Sequence, residues 1–110
     1  MEQTDKLMTP RYLYKILSIE NWEKSKERGS LLLSSADDDF IHFSTEETLE
    51  RIIAKYWKEV PGYAVLKIDT IQLPGKMVYE ANPGGSTKYY HLYNGSIPRD
   101  SVVDYQLFPS

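Results

Sequence analysis

The chain has 110 residues, 41% hydrophobic and 26% charged, with a formal net charge of −3. That length suits one domain with its own core, and the lack of cysteine excludes disulfides, zinc–thiolate sites and cysteine nucleophiles. There is no basic run for non-specific nucleic-acid binding and no apolar stretch near the roughly 20 residues of a membrane span. The N-terminus lacks the charged-then-apolar pattern of a signal peptide, so a cytoplasmic protein is expected.

Residues 1–11 read as a flexible leader ahead of a single domain over 12–110. Residues 12–17 alternate as a strand, with Leu13 and Lys15 on one face and Tyr12, Tyr14 and Ile16 on the other. Ser18 is an N-cap candidate for a helix running to about Arg28, where Gly29 ends it. Residues 30–35 hold an apolar triplet that suits a short strand or extended segment, and Asp37, Asp38 and Asp39 then make a solvated turn. That run lacks metal-ligand spacing, so no metal site is expected.

Leu49, Ile52, Ile53, Tyr56 and Trp57 recur at helical spacing and predict one buried helix face. Ser44 with Glu47 fits a capping box at its start, and Pro61-Gly62 stops it. Residues 63–69 predict a strand with Ala64, Leu66 and Ile68 on one face. Further strands are expected over 76–80, 88–93 and 101–108, separated by the loop 82–86 and the turn Asn94-Gly95. In the last of them Val103, Tyr105 and Leu107 alternate. The order predicts an α+β domain with two main helices and a mostly antiparallel sheet.

The chain has only two histidines. His42 closes a short apolar run just before Ser44, Thr45 and a helix start. That position suits either an acid–base or phosphate contact or a ring that merely braces a turn. His91 sits among Tyr89, Tyr90 and Tyr93. Glu80 is a lone acid at a strand end, suited either to an ordinary edge or to holding a ribose hydroxyl. Lys15 and Lys88 are the nearest cations in the candidate strands. Nine tyrosines suit a core rim, with some expected to stack on a planar ligand.

Tyr14-Lys15-Ile16, Trp22, Gly29, Phe40-Ile41-His42-Phe43-Ser44-Thr45, Val65-Leu66-Lys67-Ile68-Asp69, Tyr79-Glu80 and His91-Leu92-Tyr93 together resemble the bacterial family of domain of unknown function 952. The likeness runs from about Tyr12 to Val103. That family in turn resembles the ADP-ribosyltransferase fold. It is most similar to the RNA 2′-phosphotransferase group, on Ile41-His42-Phe43-Ser44, Val65 to Asp69 and Asn94-Gly95-Ser96-Ile97-Pro98.

The resemblance implies a single split-sheet domain of the ADP-ribosyltransferase type, with a cleft for NAD or a related nucleotide-like small molecule. Its catalytic candidates are His42, Glu80 and His91, and its ligand-binding candidates are Tyr14, Lys15, Ser44, Thr45 and Tyr93. Two readings stay open: an ADP-ribosyl- or phosphotransferase-like enzyme, and a non-catalytic binding module on the same fold. The phosphotransferases use several arginines around the phosphate, whereas this chain has Arg11, Arg28, Arg51 and Arg99, of which only Arg11 falls near a candidate segment.

Overall fold

A computed structural model describes residues 9–109. The chain forms β1 (Tyr12–Ser18), α1 (Ile19–Ser25), β2 (Ile41–Phe43), α2 (Glu46–Ile52), β3 (Tyr63–Asp69), β4 (Lys76–Ala81), β5 (Lys88–Tyr93) and β6 (Val102–Phe108). These strands make two three-stranded sheets, ordered β1-β3-β6 and β2-β5-β4. All their named pairings are antiparallel, so the α+β expectation holds. A lone bridge joins the sheets: the Tyr14 N–H donates to the Ser44 carbonyl at 2.8 Å, and the Ser44 N–H donates back at 2.9 Å. Among the described residues no helix is long and apolar enough to cross a membrane.

Residues 1–8 of the expected leader lie outside the described residues. Its end is tied to the domain, since the Thr70 hydroxyl lies 2.6 Å from the Pro10 carbonyl oxygen and donates to it.

Strand alternation builds the core. Ala64, Leu66 and Ile68 are fully buried and stand opposite Leu17, Lys15 and Leu13 of β1. The same alternation that buries Leu13 and Leu17 therefore carries Lys15 onto the inner face, where it is 6% exposed. A buried ammonium needs a partner, and this requirement shapes the site. Trp22 of α1, Ile41 and Phe43 of β2, and Leu92 of β5 complete the same core.

α1 starts where expected, with the Ser18 hydroxyl accepting from the Asn21 N–H at 3.1 Å. It ends at Ser25, earlier than expected. The buried Ser25 hydroxyl donates to the Asn21 carbonyl and accepts the Leu32 N–H, which pins the returning chain there. No strand forms over residues 30–35; Ser30 makes one bridge to Pro98, carried by the Leu31 N–H donating to the Ile97 carbonyl at 2.9 Å and the Arg99 N–H donating to the Gly29 carbonyl at 2.8 Å.

α2 is capped by Thr45, with Thr48 as its capping-box partner, in place of Ser44 and Glu47. Ser44 is occupied by its bridge to Tyr14, so the helix begins one residue later. α2 then widens into a π-helical segment, Ile53–Trp57.

The expected burial of the Leu49, Ile52, Ile53, Tyr56 and Trp57 face is not found. None of these residues is buried, and Tyr56 is 57% exposed. Val103, Tyr105 and Leu107 share an exposed face of β6, an edge strand. Near the Asn94-Gly95 turn the chain passes so close to Pro74 that a Cβ on Gly95 would lie 2.1 Å from the Pro74 carbonyl oxygen.

Candidate functional site

The unfilled face of α2 looks onto a cleft of about 450 Å³. Tyr14, Lys15 and Ile16 of β1 line it, with His42 and Phe43 of β2, Ser44, and Asp37 from the short helical turn before β2. Ile52, Tyr56, Trp57 and Val60 line the helical side, and Asn82 and Tyr89 also contribute.

Asp37 organises the polar wall. Its side chain is buried, and Oδ1 accepts from Lys15 Nζ at 2.8 Å and from the His42 backbone N–H at 3.0 Å. The same oxygen lies 3.0 Å from His42 Nδ1. Lys15 Nζ also donates to the His42 carbonyl at 2.8 Å. Burial alone would push the Asp37 carboxyl up. The hydrogen bonds from His42 and the charge of Lys15 outweigh it and hold the carboxyl below its ordinary value. Burial pulls the Lys15 ammonium down, and Asp37 opposes this only in part.

An ionised Asp37 accepts only, so it fixes the proton of a neutral His42 ring on Nδ1. Nε2 then carries the lone pair, and among the described residues it has no hydrogen-bond partner. The His42 side chain is 39% exposed at the cleft. An oriented imidazole of this kind can take a proton from a ligand hydroxyl or accept a ligand N–H.

His91 is fully buried and stands opposite His42 in the β2–β5 pairing, with ring centroids 5.2 Å apart. Its Nδ1 lies 2.9 Å from Glu80 Oε2, and the Tyr93 hydroxyl donates to the same oxygen. The hydrogen bonds from Tyr93 and then His91 hold the Glu80 carboxyl below its ordinary value, and the bond to Glu80 raises the Tyr93 phenol. Burial pushes the His91 imidazole down, against the pull of Glu80. The neutral ring that burial favours donates from Nδ1 to Glu80 and needs a donor at Nε2. Asn82 Oδ1 lies 2.9 Å from Nε2, and exchanging the oxygen and nitrogen of that amide by a half-turn puts its NH₂ there as the donor. Phe40 packs over the group, 4.1 Å from the His91 ring, 4.8 Å from His42 and 5.2 Å from Tyr93.

The sequence candidates thus divide into two groups. Tyr14, Lys15, His42 and Ser44 line the cleft. Glu80, His91 and Tyr93 form an adjoining cluster that does not line it, joined to it through His42 and Asn82. Thr45 spends its hydroxyl on the helix cap. Lys15 is not a free point charge, because Asp37 holds it. Arg11 pairs with Asp69, and no arginine among the described residues lines the cleft.

Asp37 was hidden by its two identical neighbours, of which Asp38 and Asp39 are exposed. Tyr56 and Trp57 carry the spacing of a buried stripe, and a cleft-facing stripe has the same spacing. Asn82 and Tyr89 had no signal beyond lying near Glu80 and His91.

A family model described as "Protein of unknown function (DUF952)" matches residues 16–105. A crystal structure of protein CC0527 from Caulobacter crescentus is similar at 29% identity and a TM-score of 0.73, covering 86% of this chain and 83% of that one. A solution NMR structure of CC0527 is similar at 26% identity and a TM-score of 0.69, covering 87% and 83%. Among curated proteins there is no match.

Proposed function

The chain belongs to the DUF952 family, and from that premise we propose that its cleft binds a nucleotide-like or NAD-like small molecule, as in an ADP-ribosyltransferase-type site. His42 is the group that meets the ligand. One observation carries this reading: Asp37 fixes His42 through Nδ1 at the wall of an open cleft, leaving Nε2 for a ligand. A histidine that merely braced a turn would be satisfied by Asp37 alone and would not need a cavity of ligand size beside it.

In the enzyme reading, His42 Nε2 accepts a proton from a ligand hydroxyl. Glu80 acts at one remove, by setting the His91 ring beside His42. The second reading is a non-catalytic binding module. It is favoured by the neutralised Lys15 and by the lack of a lining arginine among the described residues, since phosphoryl and ADP-ribosyl transfer both need cations around phosphate.

Thermal-shift titration with NAD, ADP-ribose and nucleosides tests binding, because a ligand at about 100 times its Kd adds about 2.7 kcal/mol. The wild type should gain melting temperature with at least one of these. His42→Asn, whose side-chain amide can replace Nδ1 as the donor to Asp37, should melt close to wild type alone and lose most of the gain. No gain with any of them, together with a His42→Asn protein that melts many degrees lower, would make His42 a purely structural residue.

A further inference from the structure

The unpacked face of α2 says what kind of ligand the cleft takes, on the reading that it is a binding site. A helix in a folded domain normally buries its apolar stripe. Here Ile52, Tyr56, Trp57 and Val60 face open space of about 450 Å³, within the usual range for small-ligand pockets. Tyr56 and Trp57 both lie in the π-helical turn Ile53–Trp57 and both line the cleft, and such turns recur at functional sites. Tyr14 and Tyr89 lie elsewhere on the lining.

Charge argues in the same direction. Lys15 is the only lysine or arginine among the described lining residues, and its Nζ is 2.8 Å from Asp37 Oδ1. A phosphate placed here would meet one positive and one negative group already satisfied by each other, and would lose its own hydration. A flat neutral ring loses little hydration and gains the aromatic walls.

We infer that the cleft takes an uncharged heteroaromatic ring, as in a nucleobase or nucleoside, in preference to a phosphorylated nucleotide. The ring stacks on the Tyr56 and Trp57 side, and its polar edge meets His42 Nε2.

Isothermal titration of the four common ribonucleosides and their 5′-monophosphates, at low and high salt, tests this. At least one nucleoside should bind, and its 5′-phosphate should improve affinity by less than about tenfold, the ratio that one 1.4 kcal/mol contact would give. Tyr56→Ala should weaken that nucleoside by about 5- to 150-fold, the range for losing one aromatic stack on a base. Its melting temperature without ligand should match wild type, since Tyr56 is exposed. Tyr89→Ala provides a second variant away from the helix. A phosphate gain of about tenfold or more that fades in high salt overturns the neutral-ring inference and leaves the binding reading standing. Nucleoside binding that Tyr56→Ala leaves unchanged overturns the stacking placement, whatever Tyr89→Ala does. No binding by any of the compounds overturns the binding reading as well.

Discussion

Asp37 is the residue on which the site turns. Three hydrogens from Lys15 and His42 converge on its Oδ1. Asp37→Asn leaves the Lys15 ammonium buried without a counter-charge. It should cost about 3–5 kcal/mol in urea denaturation, the usual penalty for breaking a buried pair from one side. Replacing both partners, as in Lys15→Met/Asp37→Leu, should recover most of that loss, because the desolvation of two charges goes with them. An Asp37→Asn loss below about 0.5 kcal/mol would mean that water already reaches Lys15. None of this was legible in the Asp37-Asp38-Asp39 run, where three equal acids differ only in which one the fold turns inward. Lys15 was legible in part: strand alternation put it beside Leu13, but nothing in the sequence named its partner.

Arg11 gives a prediction with a defined pH window. Asp69 accepts from Arg11 Nε at 2.8 Å, and this bond is the main reason its carboxyl drops from 3.8 to about 2. A carboxyl lowered in the folded state contributes stability that is present above its unfolded value and lost as pH falls through the folded one. That contribution is therefore complete above 3.8 and gone below about 2. Arg11→Gln should be less stable than wild type at pH above this window, with the two curves converging below it. In an NMR titration the Asp69 carboxyl of the variant should move up from about 2. Parallel curves across the whole range would show that Gln72 and the Ile71 N–H hold Asp69 without Arg11.

At the scale of elements, the helix over α2 and its extension separates what periodicity can tell from what it cannot. The stripe Leu49, Ile52, Ile53, Tyr56 and Trp57 predicted a helix, and Ile52, Tyr56 and Trp57 of that stripe line the cleft together. It could not say whether that direction ends in side chains or in a cavity. Nor could it show the π turn, since a wider turn costs no change of residue type. Ile53→Ala should cost about 1–2 kcal/mol, below the range of about 2–5 kcal/mol for a fully buried isoleucine. Deleting Ala54, which is exposed, should relax the π turn to α-helix and rotate Tyr56 and Trp57 off the cleft. The variant should keep its far-ultraviolet circular dichroism and lose the ligand-induced thermal shift. A variant that binds ligand as well as wild type would remove the π turn from the account. The strands were more legible, because a two-residue period fixes the face at once: Ala64, Leu66 and Ile68 are buried as their alternation required. Capping was less so, because the bridge of Ser44 to Tyr14 is a long-range contact that moves the helix start to Thr45.

At the scale of the whole molecule, two small sheets share a core and are joined by the Tyr14–Ser44 bridge, and the cleft opens beside that bridge, between β1, β2 and the helix that follows. The pairing of β2 with β5 brings His42 and His91 opposite each other, although neither their separation in sequence nor their neighbours specify that register. A domain of this size can leave a ligand-sized gap because the Leu13, Trp22, Leu66 and Leu92 core forms without the apolar face of α2. The central claim is that this gap is a binding site and not a packing fault. An amide-resolved NMR titration with adenosine and with NAD, run to millimolar ligand, tests it most directly. Saturable shifts should concentrate at Tyr14, His42, Ser44, Tyr56, Trp57 and Tyr89, the residues that line the cleft. Shifts confined to other surfaces, such as the exposed β6 edge, or no saturable shift at these six positions with either ligand, would contradict it.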